Sequence, residues 1–74
     1  MTINSIILHK KPKANESVEL FHNENDRYDL SYYWDDGMDW DRYEMPSFEV
    51  ARAAYAEVKD GDYFSDICIK HGGE

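Results

Sequence analysis

The sequence predicts an α+β fold: a small antiparallel sheet of about four strands with one covering helix, in the order β-β-β-α-β. Three observations carry that reading. Apolar and polar residues alternate over residues 17–23 and 28–34, the period of a half-buried strand. From Phe48 to Lys59 the apolar spacing becomes helical, and from Tyr63 to Lys70 it returns to alternation. With 74 residues, 42% of them hydrophobic and 15% aromatic, the chain has material for a single small acidic domain with a thin core. The net charge of −8 and mean hydropathy of −0.81 pull toward disorder, but the regular apolar spacing and the aromatic content oppose it.

Taken in order, Ile3, Ile6, Ile7 and Leu8 form a short, largely β-branched cluster that favours a strand over residues 2–11. Lys11, Pro12, Lys13, Ala14 and Asn15 read as a turn, since Pro12 has no amide hydrogen for a ladder and pushes its predecessor to extended geometry. In the second strand Val18, Leu20 and His22 share one face, and Glu19, Phe21 and Asn23 the other. The turn formers Asn23, Glu24, Asn25 and Asp26 lead to a third strand, with Tyr28, Leu30, Tyr32 and Trp34 on one face and Asp29, Ser31, Tyr33 and Asp35 on the other. Asp35-Asp36-Gly37 ends it, and residues 38–45 make an acidic, aromatic connection to which the pattern assigns no structure.

Ser47 is placed to cap a helix, Glu49 lies in its positive first turn and Lys59 in its negative last turn, and Asp60-Gly61 stops it. Phe48, Ala51, Ala54, Tyr55 and Val58 form its core-facing stripe. In the last predicted strand Tyr63, Ile67 and Ile69 face inward against Asp66, Cys68 and Lys70, and residues 71–74 are expected to be a frayed tail. The one cysteine, Cys68, has no partner for a bridge, and there is neither a charged-then-apolar leader nor a long apolar run. The expected location is a reducing cytoplasm, without membrane contact.

Chemistry is thin in this sequence. Asp35, Asp36, Asp39 and Asp41 invite calcium, yet the residue five before Gly37 is Tyr32, where an EF-hand loop needs a carboxylate. His9, His22, Cys68 and His71 lack the paired spacing of a zinc site, and no phosphate-binding glycine loop or nucleophile elbow occurs. The expectation is therefore no enzyme, no metal and no cofactor. What stands out is residues 28–44, where rings and carboxylates interleave. Asp29, Tyr33, Trp34, Asp35, Asp36, Asp39, Trp40, Asp41, Tyr43 and Glu44 are the candidate partner-binding residues. Alternate side chains on a strand repeat at roughly 6.6 Å, similar to phosphate separations along a nucleic-acid strand, so the acids suit a basic site. The rings suit anchoring.

A very short acidic α+β chain without catalytic groups, carrying DDGMDWDRYE and the helix exit VKDGDYF, resembles the phage-borne anti-CRISPR proteins and other inhibitors that mimic DNA. The resemblance implies a protein target, the DNA-binding groove or motif reader of a CRISPR effector in the host cytoplasm. It implies no direct contact with nucleic acid. Two other classes fit the same residues: an immunity-type or antitoxin partner of a basic toxin, and a structural domain that homodimerises through Trp34 and Trp40.

Overall fold

The computed structural model describes residues 5–74. Four strands, β1 (Ser5–Lys13), β2 (Glu16–His22), β3 (Tyr28–Trp34) and β4 (Asp39–Met45), form one antiparallel sheet in sequence order. Two helices follow, α1 (Phe48–Glu57) and α2 (Phe64–Lys70). The α+β class and the antiparallel sheet stand. The order is β-β-β-β-α-α, and two helices take the place of one.

Residues 38–45, left without structure by the pattern, contain β4. Its alternation is hidden because Asp39 and Asp41 occupy the covered side ahead of Tyr43 and Met45, as the pairings Trp34↔Asp39, Tyr32↔Asp41, Leu30↔Tyr43 and Tyr28↔Met45 show. Pairing with β3, not local hydrophobicity, makes this segment a strand. Residues 63–70 are the opposite case. Ile67 and Ile69 favour a strand locally, but β4 already holds the place beside β3. As a helix the segment buries Phe64 and Cys68, which are one turn apart, while Tyr63 and Ile69, expected inside, are 67% and 60% exposed.

Gly72, at φ +85°, closes α2 in a Schellman arrangement: the Gly73 amide donates to the Cys68 carbonyl (2.7 Å) and the Gly72 amide to the Ile69 carbonyl (3.0 Å). Glu74 then exchanges both backbone hydrogen bonds with Glu44, at 2.9 and 3.0 Å, so residues 71–74 are tied to the outer edge of β4 rather than frayed. The start of the chain differs less. The predicted first strand continues through Pro12 to Lys13, leaving Ala14 and Asn15 as the turn, and its predicted residues 2–4 lie outside the described ones. An edge strand tolerates Pro12 because a proline there need not donate to a neighbour.

The core lies between the sheet and the helices. Val18, Leu20, Leu30, Tyr32 and Met45 meet Ala51, Ala54 and Val58 of the α1 region and Phe64 and Cys68 of α2. The small Ala51 and Ala54 let α1 approach the strands closely. Ser47 caps α1 as its position predicts, accepting from the Val50 amide (3.3 Å), but the helix ends at Glu57, before Lys59. Phe48, at the rim of the stripe, packs its ring on the edge of Tyr28. Gly61 is needed where it stands: a Cβ there would lie 2.1 Å from Trp34 Nε1.

Candidate partner-binding surface

Strand parity divides the candidate residues among three places. Trp34, Asp39, Asp41 and Tyr43 lie on the helix-covered side of the sheet, Asp29, Tyr33, Trp40 and Glu44 on its open side, and Asp35 and Asp36 in the turn between β3 and β4. Two of the rings are core material. Trp34 packs against Tyr32, Phe64 and Gly61, and Tyr43 stacks edge-on to Phe64 (5.8 Å). Trp34 and Trp40 therefore share no surface, and dimerisation through both together does not fit the geometry.

On the open side Asp29 is buried beside Asn23, whose side-chain amide donates to Asp29 Oδ1 and to Glu44 Oε2, each at 3.0 Å. Asn23 Oδ1 in turn accepts from the Asn25 and Arg27 amides, so the residue spends its polar groups on holding the β2–β3 turn. Asp29 and Glu44 thus serve the fold here. The exposed anchor is Trp40, 55% accessible and paired across the strands with Tyr33. Arg42 lies between two rings, 4.8 Å from Phe21 and 5.2 Å from Trp40, and its Nε donates to Ser31 Oγ (2.9 Å). Sequence reading missed this stack. Its signal in the sequence is the parity of Arg42 with Trp40, two residues apart on one strand.

The acids gather at one end. The tip Asp35-Asp36-Gly37 has all three residues at positive φ (54°, 56° and 91°), a region that Asp tolerates and Gly prefers, and the Asp36 amide donates to the Asn15 carbonyl (2.9 Å). This seats the tip beside the β1–β2 turn and Glu16. From the other side, the α1–α2 connection brings Asp60 and Asp62 up to the Trp34 end of β3 through Gly61. The Tyr32 hydroxyl senses Glu16, Asp60 and Asp62. It donates to Glu16 Oε1 (2.6 Å), and burial first, then Glu16, Asp60 and Asp62, push its pKa well above the usual phenol range. Asp39 and Asp41 complete the end, with Asp41 accepting from Ser65 Oγ (3.2 Å).

Among the described residues, none of Glu16, Asp35, Asp36, Asp39, Asp41, Asp60 and Asp62 forms an ion pair; the pairs observed use Asp26, Glu44 and Glu57. Glu16, Asp60 and Asp62 are additions to the sequence-derived set. For Asp60 and Asp62 the sequence signal is the run Asp60-Gly61-Asp62, of which Asp60-Gly61 reads as the helix stop; Glu16 carries no local signal. Among the described residues, no group of three or more His, Cys, Asp or Glu side chains is arranged to hold a metal ion. Cys68 is buried, and its thiol is pushed up to about 12 by burial and by the nearby Asp41 carboxylate. Compared with protein-family models, curated proteins and solved structures, the chain matches none of them.

Proposed function

We propose that this protein is a non-catalytic inhibitor whose acidic end occupies a basic nucleic-acid-binding site on a protein target, in the manner of the anti-CRISPR DNA mimics that its sequence resembles. The observation that carries the reading is the convergence of unpaired carboxylates from three separate segments on one end of the sheet. Acids that served solubility alone would be expected to spread over the surface and to pair with neighbouring lysines. Concentrated and unpaired, they set up a negative field that steers a basic partner and substitutes for phosphates in its site. Exposed Met38, 83% accessible, and Trp40 flank this end and supply the apolar contact that slows dissociation. The target is a site rich in Arg and Lys, of the kind found in a CRISPR effector in the host cytoplasm.

The test is retention of lysate proteins on immobilised protein at low and high salt, with duplex DNA as competitor. The reading expects a nucleic-acid-binding protein that DNA displaces. Reversing Asp36 and Asp62 to Lys together should slow its association about tenfold or more at low salt, whereas reversing Glu24 and Glu49, away from this end, should change it little. Equal effects from both pairs, or binding indifferent to DNA, would remove the mimicry.

A further inference from the structure

The two outer edges of the sheet are not alike. That of β4 is bridged at Glu44 by the backbone of Glu74. That of β1 is open: β1 pairs only with β2, and among the described residues no further backbone hydrogen bond reaches it. Every second amide and carbonyl of an edge strand points away from its neighbour, ready to pair with an added chain.

Directly beneath this edge, on the helix side, runs a groove of about 550 Å³ between β1 and α1, lined mainly by the apolar Leu8, Phe48, Ala53, Tyr55 and Ala56, with Glu49 and Arg52 also lining it. A second hollow of about 290 Å³ lies along the same seam, lined by Lys10, Lys11, Pro12, Val58 and Lys59. No acid lines that hollow, although the chain carries sixteen acids against eight Lys and Arg. Lys10 of the smaller hollow reaches Tyr55 of the larger one: its Nζ donates to the Tyr55 carbonyl (2.9 Å) and sits 4.5 Å from the centre of the Tyr55 ring. This contact fixes the width of the seam.

We propose that the β1–α1 seam is a peptide-binding groove that takes a short extended segment, acidic at its start and apolar after it, as a fifth antiparallel strand on β1. The charge sequence of the seam argues for that occupant. A strand running antiparallel to β1 passes Lys11 and Lys10 first and Leu8 second. Its alternate side chains point toward α1, so its first residues meet the lysines and its later ones enter the apolar groove. The backbone ladder supplies affinity and the two hollows supply the choice of side chains. Register irregularities between Ile6 and Leu8 and between Lys10 and Lys13 restrict the pairing to a few residues, which favours a short peptide over a long flat strand. The lysine end of this site adjoins the acidic end, since Lys11 also lines a hollow with Glu16 and Asp36, but peptide binding here does not depend on the role given to those acids.

A nuclear magnetic resonance titration at physiological salt, where screening confines the field to the nearest lysines, tests the proposal with the synthetic peptide Asp-Asp-Thr-Val-Thr-Val-Thr. Shifts should centre on the amides of Leu8, His9, Ala53 and Ala56 and saturate below about 1 mM, the weak end of specific binding. Ala56→Glu, at an exposed helix position where the fold should survive, should weaken binding at least tenfold, and so should Lys59→Glu. The same peptide with Lys in place of Asp should bind at least tenfold more weakly. Shifts confined to the open face of the sheet, equal binding of the two peptides, or no saturation by 1 mM would overturn it. So would sedimentation showing a dimer whose β1 amides are already protected without peptide, since a second copy would then hold the edge.

Discussion

The two faces of the sheet use one alternation in two ways. On the covered face, Val18, Leu20, Leu30 and Tyr32 are fully buried because α1 and α2 lie on them. On the open face no helix arrives, yet Phe21 is only 4% exposed, because Arg42 lies across it and is held there by Ser31 and Trp40. A long cationic side chain with an apolar stem thus does locally what a helix does globally. Burial on the first face rests on packing of many side chains, and on the second on a few polar contacts, Arg42 over Phe21 and Ser31 and the Asn23–Asp29 pair. The two should therefore respond very differently to substitution.

The largest expected effect is on the covered face. Val58 is 1% exposed, so Val58→Asp places an unpaired carboxylate in the seam between helix and sheet and should cost about 3–5 kcal/mol, enough to unfold a domain this small. A circular dichroism melt unchanged from the parent would show that this seam is not where the stability lies. Gly61→Ala tests the same face more gently. The added methyl must displace the Trp34 ring, so a loss of about 1–3 kcal/mol is expected, together with a red shift in Trp34 emission. Loss of stability without the optical change would assign the effect to the backbone alone.

Arg42→Ala probes the open face. It removes one hydrogen bond and two ring contacts at a solvent-facing site and should cost about 1 kcal/mol, a fall of roughly 5 °C in Tm. A larger loss than that of Gly61→Ala would reverse the ranking of the faces. The smallest effect concerns pH. Cys68 has its folded pKa raised from an ordinary 9.0 to about 12, so its contribution is complete below pH 9 and is lost as pH rises toward 12, where the unfolded chain ionises first. At pH 8 the native thiol should resist a disulfide reagent that reacts at once in denaturant; rapid native reaction would show the covered face opening locally.

These contrasts also explain what could be read in advance. β2, β3 and α1 announce themselves because each carries its own period: Val18 and Leu20, Leu30 and Tyr32, Ala51 and Ala54. β4 does not, because its inward positions start with Asp39 and Asp41, which are on the covered side yet at its rim. α2 misleads, because Ile67 and Ile69 carry a strand propensity that helix packing of Phe64 and Cys68 overrides. The candidate surface suffered from the same blindness to register. Asp35, Asp36 and Trp40 are exposed as their composition suggests, whereas Trp34 and Tyr43 are structural rings. Glu16, Asp60 and Asp62 join the tip only through tertiary contacts that no local window contains.

The separation of the two tryptophans gives the molecule a built-in pair of optical reporters. Trp34, against Tyr32, Phe64 and the bare backbone of Gly61, should emit toward the blue, and Trp40, more than half exposed beside a guanidinium, toward the red. A neutral quencher such as acrylamide should reach Trp40 first. In a Trp40→Phe variant the remaining signal follows the helix-covered side alone, and in Trp34→Phe the side that Arg42 guards. Unfolding, peptide capture at the β1 edge and contact with a large partner would then be distinguishable by colour and quenching in one cuvette, without a label.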